Sequence, residues 1–275
     1  MTDTFTITKK NRNKSKQSDF PTKLKECRET VKESLMFQDL TSQLQPIAKS
    51  VTSIRCLAIG SFTDDFPARY QLALLLEMVE YIKCTNELDK VLVSVFDPVF
   101  TDDDKNFIQS LGSMWTIDEE LPSKNFNNDS TFYFLPHAPL DLTEHVLIAE
   151  KPKYYLANNI IQHTDRYTAS QLHGKYPVIS KLVHLIHKNE DRITKDTETN
   201  RDDTATDGFT TFVSKRNRKN KKNDKYIFKE PTIDYSAIET YFKDAKVVTD
   251  FNNGEQLKDK PWVNSFSDLT FHIIN

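Results

Sequence analysis

The chain has 275 residues, of which 37% are apolar and 28% charged, with a formal net charge of −3; it is long enough for one large α/β domain or two small ones, with the excess polarity expected outside the core. The near-neutral balance gives no global drive toward nucleic acid or an anionic membrane. No apolar stretch approaches the roughly 20 residues of a spanning helix, and residues 1–20 lack the apolar segment of a signal peptide, so a soluble cytoplasmic protein is expected, with the nucleus left open.

Residues 1–20 carry Lys9, Lys10, Arg12, Lys14 and Lys16 among Asn, Ser and Gln and read as a disordered basic arm. Between 21 and 49, Leu24, Cys27, Val31, Leu35, Leu40 and Leu44 recur near helical spacing, which predicts one or two amphipathic helices, the last limited by Pro46. Ile54-Arg55-Cys56-Leu57-Ala58-Ile59 followed by Gly60 predicts a first buried strand. A helix follows, capped by Asp64 or Asp65, with Pro67 in its first turn and Leu72, Leu75, Leu76, Val79 and Ile82 on one face. Residues 91–96 predict a second strand stopped by Asp97-Pro98. Residues 101–111 predict a short helix with Asp102, Asp103 and Asp104 at its positive amino end, and 114–117 a brief edge strand. Thr131-Phe132-Tyr133-Phe134-Leu135 is a third strong strand closed by Pro136. A helix over 141–150, a strand over 154–157 and a helix over 177–188 come next.

Order is expected to stop at 188. Residues 189–207 hold seven acids and 215–225 seven bases, so 189–226 read as a disordered charged insertion. Beyond it the pattern predicts a helix over 235–243, a strand near Val247-Val248 and a last strand over 269–273. Residues 21–188 with 227–275 thus form a single α/β domain. The strand-and-helix period is that of right-handed βαβ crossovers, so a Rossmann-like, mainly parallel sheet flanked by helices is expected, its last strand adding antiparallel.

In such a sheet ligands bind outside the carboxyl ends of the strands, where this chain places polar or backbone-special residues. Gly60-Ser61 occupies the phosphate-cradle position. The Gly-x-Gly-x-x-Gly spacing is absent, however, and Asp64 and Asp65 offset the attraction of the helix amino end for anions unless Arg69 compensates. Asp97 ends the second strand, about 37 positions after Gly60 where the dinucleotide fingerprint expects roughly 20; contact with ribose hydroxyls and capping of its own loop are equal readings. His137, held between Pro136 and Pro139, is presented by a stiff turn and titrates near neutrality; a loop hydrogen bond is its structural alternative. Asn158 and Asn159 could bind ligand or satisfy turn backbone, and His272 is a further candidate member of the crevice.

Cys27, Cys56 and Cys84 show no metal spacing and read as reduced, buried thiols. His184 and His187 share a helix face without further ligands, so no metal site is expected. No Ser/His/Asp order, paired-carboxylate motif or P-loop appears, and the basic runs lack aromatic platforms, which makes nucleic acid an unfavoured partner.

The ordered series Leu57-Ala58-Ile59-Gly60-Ser61-Phe62, Arg69-Tyr70-Gln71-Leu72-Ala73-Leu74-Leu75, Phe96-Asp97-Pro98-Val99-Phe100, Thr131-Phe132-Tyr133-Phe134-Leu135-Pro136-His137 and Ala157-Asn158-Asn159 resembles the SRR-like (sensitivity to red light reduced) family. The closing Phe266-Ser267-Asp268-Leu269-Thr270-Phe271-His272 is similar to that family's carboxyl-terminal motif, and length and tails resemble fungal members associated with resistance to benomyl, a microtubule poison. Ala58 and Asn158 depart from glycines frequent in relatives. The resemblance implies an intracellular regulatory protein affecting microtubule-related processes through a protein partner or small ligand, with plant relatives tied to light signalling and the circadian clock. It transfers no catalytic residue, substrate or cofactor, so whether the chain is an enzyme stays open. The alternative is an enzyme using an adenosine-containing ligand, such as an S-adenosylmethionine-dependent methyltransferase.

Overall fold

A computed structural model of the chain describes residues 20–86, 90–121, 127–198, 231–258 and 261–275. The elements follow in the order α1 (Phe20–Lys32), α2 (Leu35–Ala48), β1 (Ser53–Leu57), α3 (Phe66–Asn86), β2 (Leu92–Phe96), α4 (Asp102–Ser110), β3 (Trp115–Ile117) and β4 (Thr131–Leu135). They continue with α5 (Leu140–Ala149), β5 (Tyr154–Asn158), α6 (Ile160–Thr164), α7 (Ala169–Lys175), α8 (Pro177–Glu198), β6 (Ala245–Thr249), α9 (Val263–Phe266) and β7 (Leu269–Ile274). The seven strands form one sheet ordered β3-β2-β1-β4-β5-β7-β6. All pairings from β3 to β5 are parallel, and β7 runs antiparallel to both β5 and β6. The mainly parallel α/β sheet and its antiparallel closing strand are as the apolar pattern predicts.

β1, β4 and β5 are buried along their whole length, because helices cover both faces and leave no solvent side. Ile54, Cys56, Phe132, Phe134, Tyr154 and Leu156 enter the core beneath α1, α2 and α3. Leu57, Tyr133, Leu135, Tyr155 and Ala157 enter the opposite core with residues of α5 and α8, the alternation a pleated strand imposes. Between β1 and β4 the strand order reverses, so the crevice outside their carboxyl ends is the topological switch point.

Several expected boundaries move. β1 stops at Leu57 rather than 59 because Ala58 turns into the left-handed region at φ 56°. α2 continues past Pro46 to Ala48. α8 runs on to Glu198 where a helix over 177–188 is expected; Asn189 Nδ2 donates to Asp244 Oδ1 (2.6 Å) and Ala245 O (2.8 Å) and ties the helix to β6. The helix expected over 235–243 is only a single 3₁₀ turn, Tyr235–Ala237, with Tyr235 stacked on His184 at 4.0 Å between ring centroids. Cys27 and Cys56 are buried, whereas Cys84 is exposed. The basic arm, apart from Phe20, and the part of the charged insertion from 199 to 226 lie outside the described residues.

One register line of the sheet is polar. Ser94 on β2 pairs with Arg55 on β1, Arg55 with Tyr133 on β4, Tyr133 with Tyr155 on β5, and Tyr155 with His272 on β7. Arg55, wholly buried, reaches both carboxylate oxygens of Glu150 (3.1 and 3.2 Å) and also Ser94 and Asp118. His272 belongs to this row: its Nδ1 lies 3.3 Å from Tyr155 O, its Nε2 has no partner, and it is fully buried in the middle of β7. Burial holds the imidazole neutral and pushes its pKa down to about 4, against about 6.5 in an unfolded chain. Between those values the unfolded state takes up a proton that the folded state refuses, so stability is complete above pH 6.5 and falls as the pH drops toward 4. A steeper decline in Tm between pH 7 and 4.5 is expected for the parent protein than for His272→Phe, by a few degrees; equal slopes would contradict the assignment.

Candidate functional site

After β1 the backbone turns left-handed twice, at Ala58 (φ 56°) and Gly60 (φ 78°). A Cβ on Gly60 would stand 3.2 Å from the Ala68 Cβ in α3, so both the backbone angle and the close approach of the helix call for glycine. Asp97, at the end of β2, holds this turn from the next strand: its Oδ2 accepts the Gly60 N–H at 2.7 Å and its Oδ1 the Val99 N–H at 3.0 Å. The loop-capping reading is therefore realised, extended across two loops.

Ser61 points to a different anchor. Its Oγ donates to Asp104 Oδ2 at 2.7 Å, while Thr63 donates to Asp104 Oδ1 through N (2.9 Å) and Oγ1 (2.8 Å). Thr101 forms a capping box on α4: its Oγ1 accepts the Asp104 N–H at 3.2 Å and its own N–H donates to Asp104 Oδ2 at 2.9 Å, with its hydroxyl also donating to Oδ2 at 2.9 Å. Burial by itself would raise the Asp104 carboxyl, but these donors outweigh it and hold the group below the usual carboxylate range. Arg69 also braces the loop, with Nε donating to Phe62 O (3.3 Å) and Nη2 to Thr63 O (3.0 Å) and its guanidinium over the Phe20 ring. Ser61 and Arg69 thus shape the turn from behind.

The turn, β2's end and the segment after β4 enclose a cavity of about 480 Å³ lined by Ala58, Ile59, Gly60, Asp65, Gln71, Phe96, Asp97, Pro98, His137 and Leu142, among others. The size suits a small ligand. Gly60, Asp97 and His137 are brought together here as their strand-end positions predict, and His137 is exposed to the space.

Asn158 and Asn159 build a polar group beside it. Asn158 Nδ2 donates to Pro136 O (3.1 Å) and Asp268 Oδ1 (2.9 Å), and its buried Oδ1 has no partner. Asn159 caps α6 through Ile161 N and Gln162 N, and its own N–H donates to Asp268 O at 2.6 Å. His163 Nε2 stands 2.9 Å from Asp268 Oδ2. Burial would raise the Asp268 carboxyl, but the bonds from His163 and Asn158, with the charges of His163 and His137, hold it low. Asn159 and Asp268 also line a separate cavity of about 180 Å³. His272, by contrast, is not in the crevice; it sits in the sheet interior.

Sequence reading did not single out Gln71, Asp104, His163 or Asp268. Thr101-x-x-Asp104 is the only one with a local signature, and it sits inside an acidic run that reads equally as helix-dipole complement. Among the described residues no group of three or more His, Cys, Asp or Glu is arranged to hold a metal ion, and no helix is long and apolar enough to cross a membrane.

A family model described as SRR1 domain matches residues 27–273. The chain is 29% identical over 119 residues to an SRR1-like protein of Drosophila melanogaster, covering 43% of this chain and 41% of that protein. It is 25% identical over 150 residues to an SRR1-like protein of Mus musculus, covering 52% and 59% respectively. It thus spans about half the length of these relatives. No solved structure matches.

Proposed function

The chain belongs to the SRR1 domain family, and from that premise we propose that it is an intracellular regulatory protein whose strand-end cavity binds a small ligand or a segment of a protein partner, with microtubule-related processes as the cellular outcome. The observation that carries this reading is the cavity at the switch point, where Gly60, Asp97 and His137 converge and ligands bind in open α/β sheets. Asp97 accepts two backbone amides, and among the described residues that line the cavity no nucleophile and base stand paired, which favours binding over turnover. The microtubule connection draws on the resemblance of length and tails to the benomyl-resistance members of the family.

His137→Ala tests the reading cleanly because the side chain is exposed. The variant is expected to keep its Tm within about 1 °C, as surface substitutions do, yet to fail to restore benomyl tolerance to cells lacking the protein. Full rescue by a normally expressed variant would remove His137 from the site.

A second reading, an enzyme that uses an adenosine-containing ligand such as S-adenosylmethionine, is favoured by the parallel β3-β2-β1-β4-β5 order with an acid at the end of β2, the layout in which doubly wound sheets take adenosine ligands. Thermal-shift measurements with S-adenosylmethionine and nucleotides separate the two: a Tm rise with S-adenosylmethionine supports the enzyme, and flat responses from a folded protein exclude it.

A further inference from the structure

We propose that the strand-end cavity selects an uncharged or cationic small molecule with a mostly apolar body and a hydrogen-bond donor for Gln71, and rejects phosphates and carboxylates. The inference rests on the ligand-binding reading and specifies the chemistry of its occupant.

Gln71 on α3 carries the first part. It lines the cavity and is wholly buried; its Nε2 donates to Ser265 O at 2.9 Å, and its Oε1 has no partner. Leaving a buried amide oxygen unsatisfied costs about 1–3 kcal/mol. The oxygen is out of reach of solvent, so an N–H or O–H group from an occupant of the cavity satisfies it once the side chain turns toward the space, and the Ser265 contact marks the oxygen as the acceptor.

The charge pattern carries the second part independently. Among the described residues Asp65 and Asp97 line the space, no Lys or Arg does, and His137 is the one lining side chain that can become cationic. The two groups a phosphate would need are already committed. The Gly60 N–H donates to Asp97, and Arg69, the nearest candidate counter-charge in the sequence, donates to the carbonyls of Phe62 and Thr63. An anion entering here would meet two carboxylates with no fixed cation, a repulsion that grows as the site loses water. Ile59, Ala68, Phe96, Pro98 and Leu142 supply the apolar walls.

Benzamidine, benzamide and benzoate form a matched set that varies charge on one ring. Titrating each into the full chain while following backbone and side-chain amide signals should show benzamidine and benzamide shifting Gly60, Gln71 and His137, with benzoate at least tenfold weaker. Gln71→Leu is expected to weaken benzamide about tenfold. Should that buried substitution unfold the protein, Asp65→Lys decides, since Asp65 is exposed: it should narrow the gap between benzoate and benzamide severalfold. Benzoate binding as tightly as benzamide at the same residues, or a benzoate gap unchanged by Asp65→Lys, overturns the selectivity while leaving ligand binding intact. No shift with any of the three overturns ligand binding itself.

Discussion

Replacing Arg55 with methionine is expected to lower the unfolding free energy by about 3–5 kcal/mol, the cost of breaking a buried ion pair by removing one member, and to depress Tm by roughly 10 °C in a domain of this size. The penalty comes from what remains. Glu150 is almost fully buried and receives both Nε and Nη2 of Arg55, so removal of the guanidinium takes two charge-assisted hydrogen bonds from a buried carboxylate between β1 and the end of α5. Asp118 is less affected because its side chain is one-fifth exposed and water can replace the lost contact. Arg55→Met combined with Glu150→Leu should recover more than half of the loss, since a buried ion pair replaced as a unit by apolar groups is often neutral. Denaturant unfolding of the two single variants and the double variant supplies the cycle; additive losses would mean that the two residues do not act as a pair.

Asp104→Ala is expected to cost about 2–4 kcal/mol, because it orphans backbone N–H groups of Thr63 and Thr101 together with the hydroxyls of Ser61, Thr63 and Thr101, and caps and buried polar groups of this kind are each worth about 1 kcal/mol or more. The loss is also directed. Asp104 fastens the loop after β1 to the amino end of α4, so its removal should broaden amide signals of Gly60 and Ser61 before those of the sheet. The pH dependence has a definite sign: the folded carboxyl lies below its unfolded value of 3.8, so its stabilisation is fully present above that pH and is lost as the pH falls through the lower folded value. Asp104→Asn should therefore flatten stability against pH below about 4 relative to the parent protein. An unchanged acid limb would show that the carboxyl gains nothing from its donors.

The strands of the parallel half were legible because each is a short, continuous apolar run bounded by Gly60, Pro98 or Pro136, which is how a strand buried on both faces reads. The cavity was legible for the same reason: strands of one parallel sheet end side by side, so Gly60, Asp97 and His137 had to converge once the runs were recognised as parallel. Asn158 and Asn159 fall at the right rim but in an adjoining polar group, a difference of side-chain direction that local pattern does not encode. His272 was misplaced because a polar residue in an apolar strand resembles a functional group in a line of sequence. In the sheet it is one member of a buried polar row, and only the pairing of β7 with β5 reveals its neighbours. The helix expected over 235–243 failed for a related reason, since a weak local pattern yields to tertiary packing.

Taken alone, the order of residues determined the mainly parallel strands, their common carboxyl rim and a turn at Gly60, all of which follow from the period of burial and local breaker residues. Tertiary structure decided which polar groups were free to act. Asp97 and Gly60 are 37 positions apart, Ser61 and Asp104 43, and Gln71 and Ser265 194. The first two hydrogen bonds consume groups that the sequence offered to a ligand, the third orients one that it did not, and burial is what makes the remaining unpaired oxygen of Gln71 informative.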